Sequence, residues 1–274
     1  MLRSAAALAL TSLLMTSACS ETEAPTQADR AAAASVPGAP PGGVEDLSAK
    51  DAAALNLREK NDLIEFAYAY PVEAARIPAL VKWLDNDRAT KREALLVDAR
   101  RDRAAAEKEG FPYHAHSHLE RWQRVTSTPR FLSLSSEIGT YTGGAHGMQG
   151  FDTLIWDRNI GQRLKPLDLF VSPAAFDKAV KDDLCAGVER AKAARGLVWS
   201  REEATPFAAC PIPSAQTIWL GSSDGRYFDR LTIAIGPYEV GPYAEGSYKI
   251  NLPMSAALVN AVKPENQRDF LPIR

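Results

Sequence analysis

Lysine and arginine form no long run anywhere in this chain, and the formal net charge is only −2. Phosphate backbones are held by clustered cations, so nucleic acid is not an expected partner. An apolar run of ~20 residues, the length a helix needs to cross a ~30 Å hydrocarbon core, is also missing. So are the common signatures of catalysis: no Gly-x-Ser-x-Gly elbow, no Gly-Lys-Thr phosphate loop, no Gly-x-Gly-x-x-Gly after a strand. No catalytic residue and no cofactor is expected from motifs. Cysteine and histidine are scarce, three and four residues respectively, so each one can be weighed by its setting.

The first cysteine closes a short apolar start. Arg3 precedes "AAALALTSLLM", which ends in the small residues "TSACS". Such a run suits a cleaved signal segment. Ser17 and Ala18 before Cys19 fit a bacterial lipobox, with Thr16 where Leu is commonest, so residues 1–18 read as a lipoprotein signal and Cys19 as the lipidated residue. Acyl chains contribute ~0.8 kcal/mol per buried methylene and hold a domain on a membrane without a spanning helix. From residue 19 to 45 the chain is Ala, Pro, Gly, Thr and Ser with almost no large apolar side chain. A segment of that kind buries too little surface to offset chain entropy and reads as a disordered tether. The expected location is the cell envelope, lipid-anchored and facing the periplasm. Cys185 and Cys210 then remain in an oxidising compartment, where they read either as a disulfide or as two separate buried thiols.

Beyond the tether, order is expected from about Leu57. "DLIEFAYAYP" alternates, with Ile64, Phe66, Tyr68 and Tyr70 on one side, and predicts a strand. Helical spacing follows, interrupted by Pro78, and a long Ala/Arg/Glu-rich helix stops at Gly110. Its apolar stripe is narrow. Strands are expected over His114–Thr126, Arg130–Tyr141 and Gly150–Asp157, joined by "TSTPR" and "TGGAHG". Ser172 and Pro173 open another helix, with Gly196 as its stop. "AQTIWLG", "FDRLTIAIG" and "GSYKINLP" return to strands, and "SAALVNAV" is a short closing helix. Strands and helices are grouped rather than alternating, which predicts an α+β fold with antiparallel sheets and packed helices. Two adjoining subdomains are expected, over residues 46–128 and 129–274.

"PYHAHSHLERW" carries three of the four histidines at alternate positions. Residues two apart in a strand share a face and lie ~6.6 Å apart, so neighbouring imidazoles there can chelate a zinc ion but all three cannot. His114 and His116, completed by His146, are weak metal candidates. An exposed strand face is the expected arrangement, and no metal is assigned.

Two loops carry the stronger signal. "TYTGGAHGMQG" sets His146 among Gly143, Gly144 and Gly147 after Tyr141, where glycines permit positive φ or close backbone approach. "GPYEVGPYAEG" repeats Gly-Pro-Tyr and places Tyr238 and Tyr243 on turns; tyrosines with few rotamers anchor proteins or sugars. Tyr141, Gly143, Gly144, His146, Tyr238 and Tyr243 are the candidate ligand-binding residues. The Gly-Gly-Ala-His-Gly loop, then "LKPLDLF" and a helix, then the Pro-Tyr…Gly-Pro-Tyr-Ala-Glu-Gly loop before a final strand, together resemble a specific envelope family. It is a pair of adjoining domains of unknown function, 4163 and 3298, found in the outer part of lysozyme-sensing anti-sigma factors and ahead of the catalytic domain of some peptidoglycan deacetylases. The resemblance covers roughly Leu57 to Pro264. It implies an α+β fold and an envelope role without a transferable catalytic residue. The expected function is non-catalytic binding of a peptidoglycan-derived or lysozyme-like ligand. A wall-glycan hydrolase or deacetylase and a purely structural component are the alternatives.

Overall fold

The computed structural model describes residues 53–199 and 205–272. The expected signal segment, Cys19 and the tether lie outside the described residues.

Four residues of alternation in "IEFAYAYP" are enough to fix where the chain starts to pack. Ile64, Phe66, Tyr68 and Tyr70 are buried on one face of strand β2, Ile64–Pro71. A preceding strand, β1 (Ala53–Lys60), pairs with it antiparallel through a turn at Asn61, whose side-chain oxygen accepts from the Leu63 and Ile64 amides. Order thus begins earlier than expected. Pro71 leads into a single turn, α1 (Val72–Ala75). Pro78 then sits at the first position of a 32-residue helix, α2 (Pro78–Glu109), where its missing N–H costs nothing. Pro78 therefore starts the helix rather than interrupting it. Gly110 ends it in the left-handed region at φ 76°, as a C-cap glycine does.

Helix α2 brings the chain back to the same end of β2, so β3 (His116–Ser127) runs parallel to β2. The other ladders are antiparallel: β3 with β4 (Phe131–Tyr141), β4 with β5 (Met148–Asp157), and β5 with the short edge β6 (Gln162–Leu164). The order is β1-β2-β3-β4-β5-β6 in one six-stranded sheet. A second sheet contains β7 (Thr217–Gly221), β8 (Arg230–Ile235) and β9 (Tyr248–Pro253), antiparallel throughout. The α+β class stands, with one parallel pair. Helix α3 (Pro173–Ala193) has Ser172 as N-cap, accepting from the Ala175 amide, and lies on β9 so closely that a Cβ at Gly187 would run into Ile250. Cys185 on α3 is bonded to Cys210, with Cα atoms 5.6 Å apart. Helix α4 (Ala256–Asn260) closes the chain's regular structure.

Alternation along β4 and β5 feeds two cores. Leu132, Leu134, Leu154 and Trp156 join Ile64, Phe66, Tyr68, Leu80, Leu84 and Trp122 beneath α2. Phe131 and Ile155 point the other way, into a core shared with α3 and the second sheet. Each large side chain removed from water contributes roughly 1.5–3 kcal/mol. The sheets are also tied by polar bonds, from Thr153 Oγ1 to Ile218 O at 2.7 Å and from Trp219 Nε1 to Asp152 O at 2.9 Å. The turn at residues 128–130, between the two expected subdomains, joins the β3–β4 hairpin within one sheet. Among the described residues no helix is long and apolar enough to cross a membrane.

Candidate functional site

The β4–β5 hairpin projects the loop 142–147 past the end of the first sheet. Gly143 and Gly144 take φ of 94° and 88°, where a side chain would be strained, and the Tyr141 hydroxyl donates to Gly144 O at 3.1 Å. These contacts aim His146 at a second loop, between β8 and β9. Its ring stacks on Tyr243 with centroids 3.6 Å apart and planes inclined by 14°. Tyr238 completes the group at 5.7 Å from the Tyr243 ring, and its hydroxyl lies 3.2 Å from His146 Nε2. Two candidate loops that are remote in sequence therefore meet. Tyr141 braces the glycine loop instead of joining the rings.

Hydrogen bonding fixes the imidazole. Nδ1 lies 3.0 Å from Gly147 O, and a carbonyl only accepts, so Nδ1 carries the proton and Nε2 accepts from the Tyr238 hydroxyl. Tyr238 is the only non-glycine residue with positive φ among those described, at 70°, and its side chain is 47 % exposed. Backbone strain of this kind costs about 1–3 kcal/mol and persists only when the surroundings enforce it. Here the surroundings are the end of α3. Lys192, 3 % exposed, donates to Val240 O at 2.8 Å and to the Glu245 carboxylate. Glu245 also accepts from the Tyr248 hydroxyl, while Arg195 donates to Ser247 O at 2.9 Å and covers the Tyr248 ring. Burial first, and then the hydrogen bond to Glu245 and its charge, push the Tyr248 hydroxyl up to about 12. A Cβ at Gly241 would fall on the Glu245 carboxylate. Ser247 Oγ donates to Gln149 at the start of β5, linking the two loops once more. The result is a rigid, partly open aromatic surface with hydroxyl and imidazole edges.

The histidine strand is arranged differently from the expectation. His114 precedes β3 and is exposed, while His116 and His118 turn toward α2. His116 is 2 % exposed and packs against Tyr113, with Nε2 3.5 Å from Asp102. An exposed histidine face is therefore incorrect, because the parallel pairing with β2 places this end of β3 under the last turns of α2. His146 belongs to the tyrosines, so His114, His116 and His146 are not gathered into one ligand set. Among the described residues no group of three or more His, Cys, Asp or Glu side chains could hold a metal ion.

Next to the histidines lies a polar cluster that no local motif announces. Glu120 is fully buried, with Lys91 Nζ at 2.7 and 2.9 Å, His118 Nε2 at 2.9 Å and the Ser136 hydroxyl at 3.2 Å from its carboxylate. Lys91 also meets Asp87, which accepts from the Tyr68 hydroxyl. Burial raises the Glu120 carboxyl, but His118 and Lys91 outweigh it and hold it below the usual range. Asp152, on the same sheet face, is pushed up by burial. The usable signal was a charged residue at each inward position, Glu120 between His118 and Trp122 and Lys91 in the α2 stripe. Two further acids near loops are tied up in structure: Asp157 pairs with Arg130, and Asp168 accepts from the Lys165 amide.

Residues 57–149, about a third of the chain, match the family model described as Deacetylase PdaC. A crystal structure of a DUF3298 family protein from Pseudomonas aeruginosa PAO1 is similar at 16 % identity, with a TM-score of 0.53 over 80 % of this chain and 96 % of that one. A DUF3298 family member from Bacteroides fragilis aligns at 17 % identity and a TM-score of 0.47, covering 79 % and 97 %. No curated protein sequence matches. The chain thus carries a PdaC-type sequence segment in its first sheet and has the overall fold seen in DUF3298 proteins.

Proposed function

We propose that the protein is a non-catalytic cell-envelope lipoprotein, anchored through Cys19, whose His146–Tyr238–Tyr243 surface binds a peptidoglycan-derived glycan. The observation that carries the reading is the stacking of His146 on Tyr243 across two loops, in a partly exposed setting. Aromatic faces bind the C–H face of a sugar ring, and a tautomer-fixed imidazole beside tyrosine hydroxyls supplies directional polar partners. Preorganisation favours binding, since the loops are already ordered by Lys192, Arg195 and Glu245. The similarity to a family named for a deacetylase is consistent with work on the wall.

A hydrolytic role for His146 is less well supported. Its ring nitrogens meet a tyrosine hydroxyl and a backbone carbonyl, and the neighbouring Glu239 carboxylate accepts from the Gln216 side chain at 3.4 Å. The test is calorimetric titration of the full chain with N-acetylglucosamine oligomers, muropeptides and lysozyme. Saturable glycan binding, lost in Tyr243→Ala and His146→Ala with unchanged circular dichroism, is expected. Absence of any glycan binding overturns the reading, and lysozyme binding alone would replace it with a protein ligand. Intact mass of the envelope-extracted chain tests the lipid on Cys19.

A further inference from the structure

The glycine loop has a second wall. Gly143 and Gly144 also border a cleft of about 530 Å³, formed with the end of α2 and the segment that leads into β3. Phe111 is 51 % exposed there, and Tyr113 faces the same space. Asp102 is the only carboxylate among the lining groups, which include no lysine or arginine, and Arg101 beside it holds its carboxyl below the usual range. His116 lines the cleft too. Its Nε2 approaches Asp102 at 3.5 Å, yet no protein group partners its buried Nδ1. Nearly every buried polar atom in a folded protein has a partner, and one left without points to a ligand or water that supplies it.

The chemistry of this cleft is lopsided. Asp102 offers carboxylate oxygens as acceptors, and His116, with Nε2 3.5 Å from that carboxylate, adds an imidazole to the lining. The walls are aromatic edges and faces. A ligand suited to it offers N–H or O–H donors beside an apolar ring face. An amino sugar has that combination. Position adds the connection: Gly144 and His146 are two residues apart, their Cα atoms within ~7 Å, so one loop borders both the cleft and the tyrosine surface.

We infer that the Asp102–Phe111–Tyr113–His116 cleft is a second subsite, taking a further amino-sugar unit of the same glycan that rests on Tyr238 and Tyr243. The inference depends on the binding reading above and extends it: the ligand is a chain crossing the glycine loop, not a single ring. Two linked subsites make the second engagement intramolecular, so affinity climbs with oligomer length without any new contact at the first.

The test uses the full chain and N-acetylglucosamine oligomers from the dimer to the hexamer. Affinity is expected to rise about tenfold or more once the oligomer spans both subsites. Phe111→Ala, at an exposed position, and Asp102→Asn, at a half-buried one, should abolish that rise while leaving the dimer bound and the circular dichroism unchanged. Equal affinity across lengths, or an undiminished rise in both variants, overturns the inference and leaves the tyrosine site standing. Loss of all binding, dimer included, in the unmodified protein overturns both.

Discussion

Replacing Lys192 by Met should be among the most damaging single changes outside the apolar cores. The amine is almost wholly enclosed and bridges Val240 O and the Glu245 carboxylate. Methionine keeps the stem but strands both acceptors. Removing one partner of a buried ion pair costs about 3–5 kcal/mol, and an unsatisfied carbonyl about 1–3 kcal/mol. Glu245 retains its bond from the Tyr248 hydroxyl and some exposure, so the lower end applies: about 3 kcal/mol. For a folded region of this size that lowers Tm by roughly 6–12 °C. Urea unfolding followed by tryptophan fluorescence gives the free energy, with the slope checked for constancy. The double variant Lys192→Met with Glu245→Gln removes the charge left behind and should recover a large part of the loss. A single variant within ~1 kcal/mol of the parent, or a double no better than the single, refutes the account of how the tyrosine loop is held.

Acid should act on the cluster beneath α2. Glu120 titrates lower in the folded chain than in the unfolded one, so its stabilisation is complete above the ordinary carboxylate pKa of about 4.3 and fades as pH falls through the folded value. Glu120→Gln should flatten that acid limb in unfolding curves; parallel losses in parent and variant contradict it. Asp152 has the opposite sign, disfavoured as an anion, so Asp152→Asn should match or exceed the parent in neutral-pH stability, and a clear loss counts against the assignment. Changing Cys185 and Cys210 to serine opens a loop of 25 residues and should cost up to about 3.5 kcal/mol by chain entropy, visible as a lower urea midpoint in the absence of reductant. Gly241→Ala forces a methyl onto the Glu245 carboxylate and should cost about 1–3 kcal/mol, together with glycan affinity.

Much of the architecture was legible because local chemistry and tertiary environment agree. The alternation of β2 and β9, Ser172 before Pro173, and Gly110 after α2 each report a backbone state that the fold keeps. The parallel β2–β3 pairing was not legible, since antiparallel and parallel strands carry the same alternation when one face is covered. Strand β1 was not expected as a strand, because Leu55 and Leu57 sit among polar neighbours at an edge. The meeting of His146 with Tyr238 and Tyr243 was legible only as two separate loops; what joins them is Ser247 bonding to Gln149 and the grip of α3 on the second loop. Glu120 and Lys91 escaped notice because their partnership spans a helical crossover, and neither has a neighbour in sequence that reveals it.

The stretch resembling PdaC ends at Gln149, the second residue of β5. Leu154 and Trp156, which complete the packing under α2, come later in that strand, and Ile155 between them already serves the opposite side. A truncation at that point would leave β4 with a bare hydrogen-bonding flank and the floor of α2 unsealed. The segment that matches the family model and the stretch that completes the packing are therefore offset from each other. Gene fusions that transplant the shorter one should yield insoluble product unless the recipient donates a replacement strand.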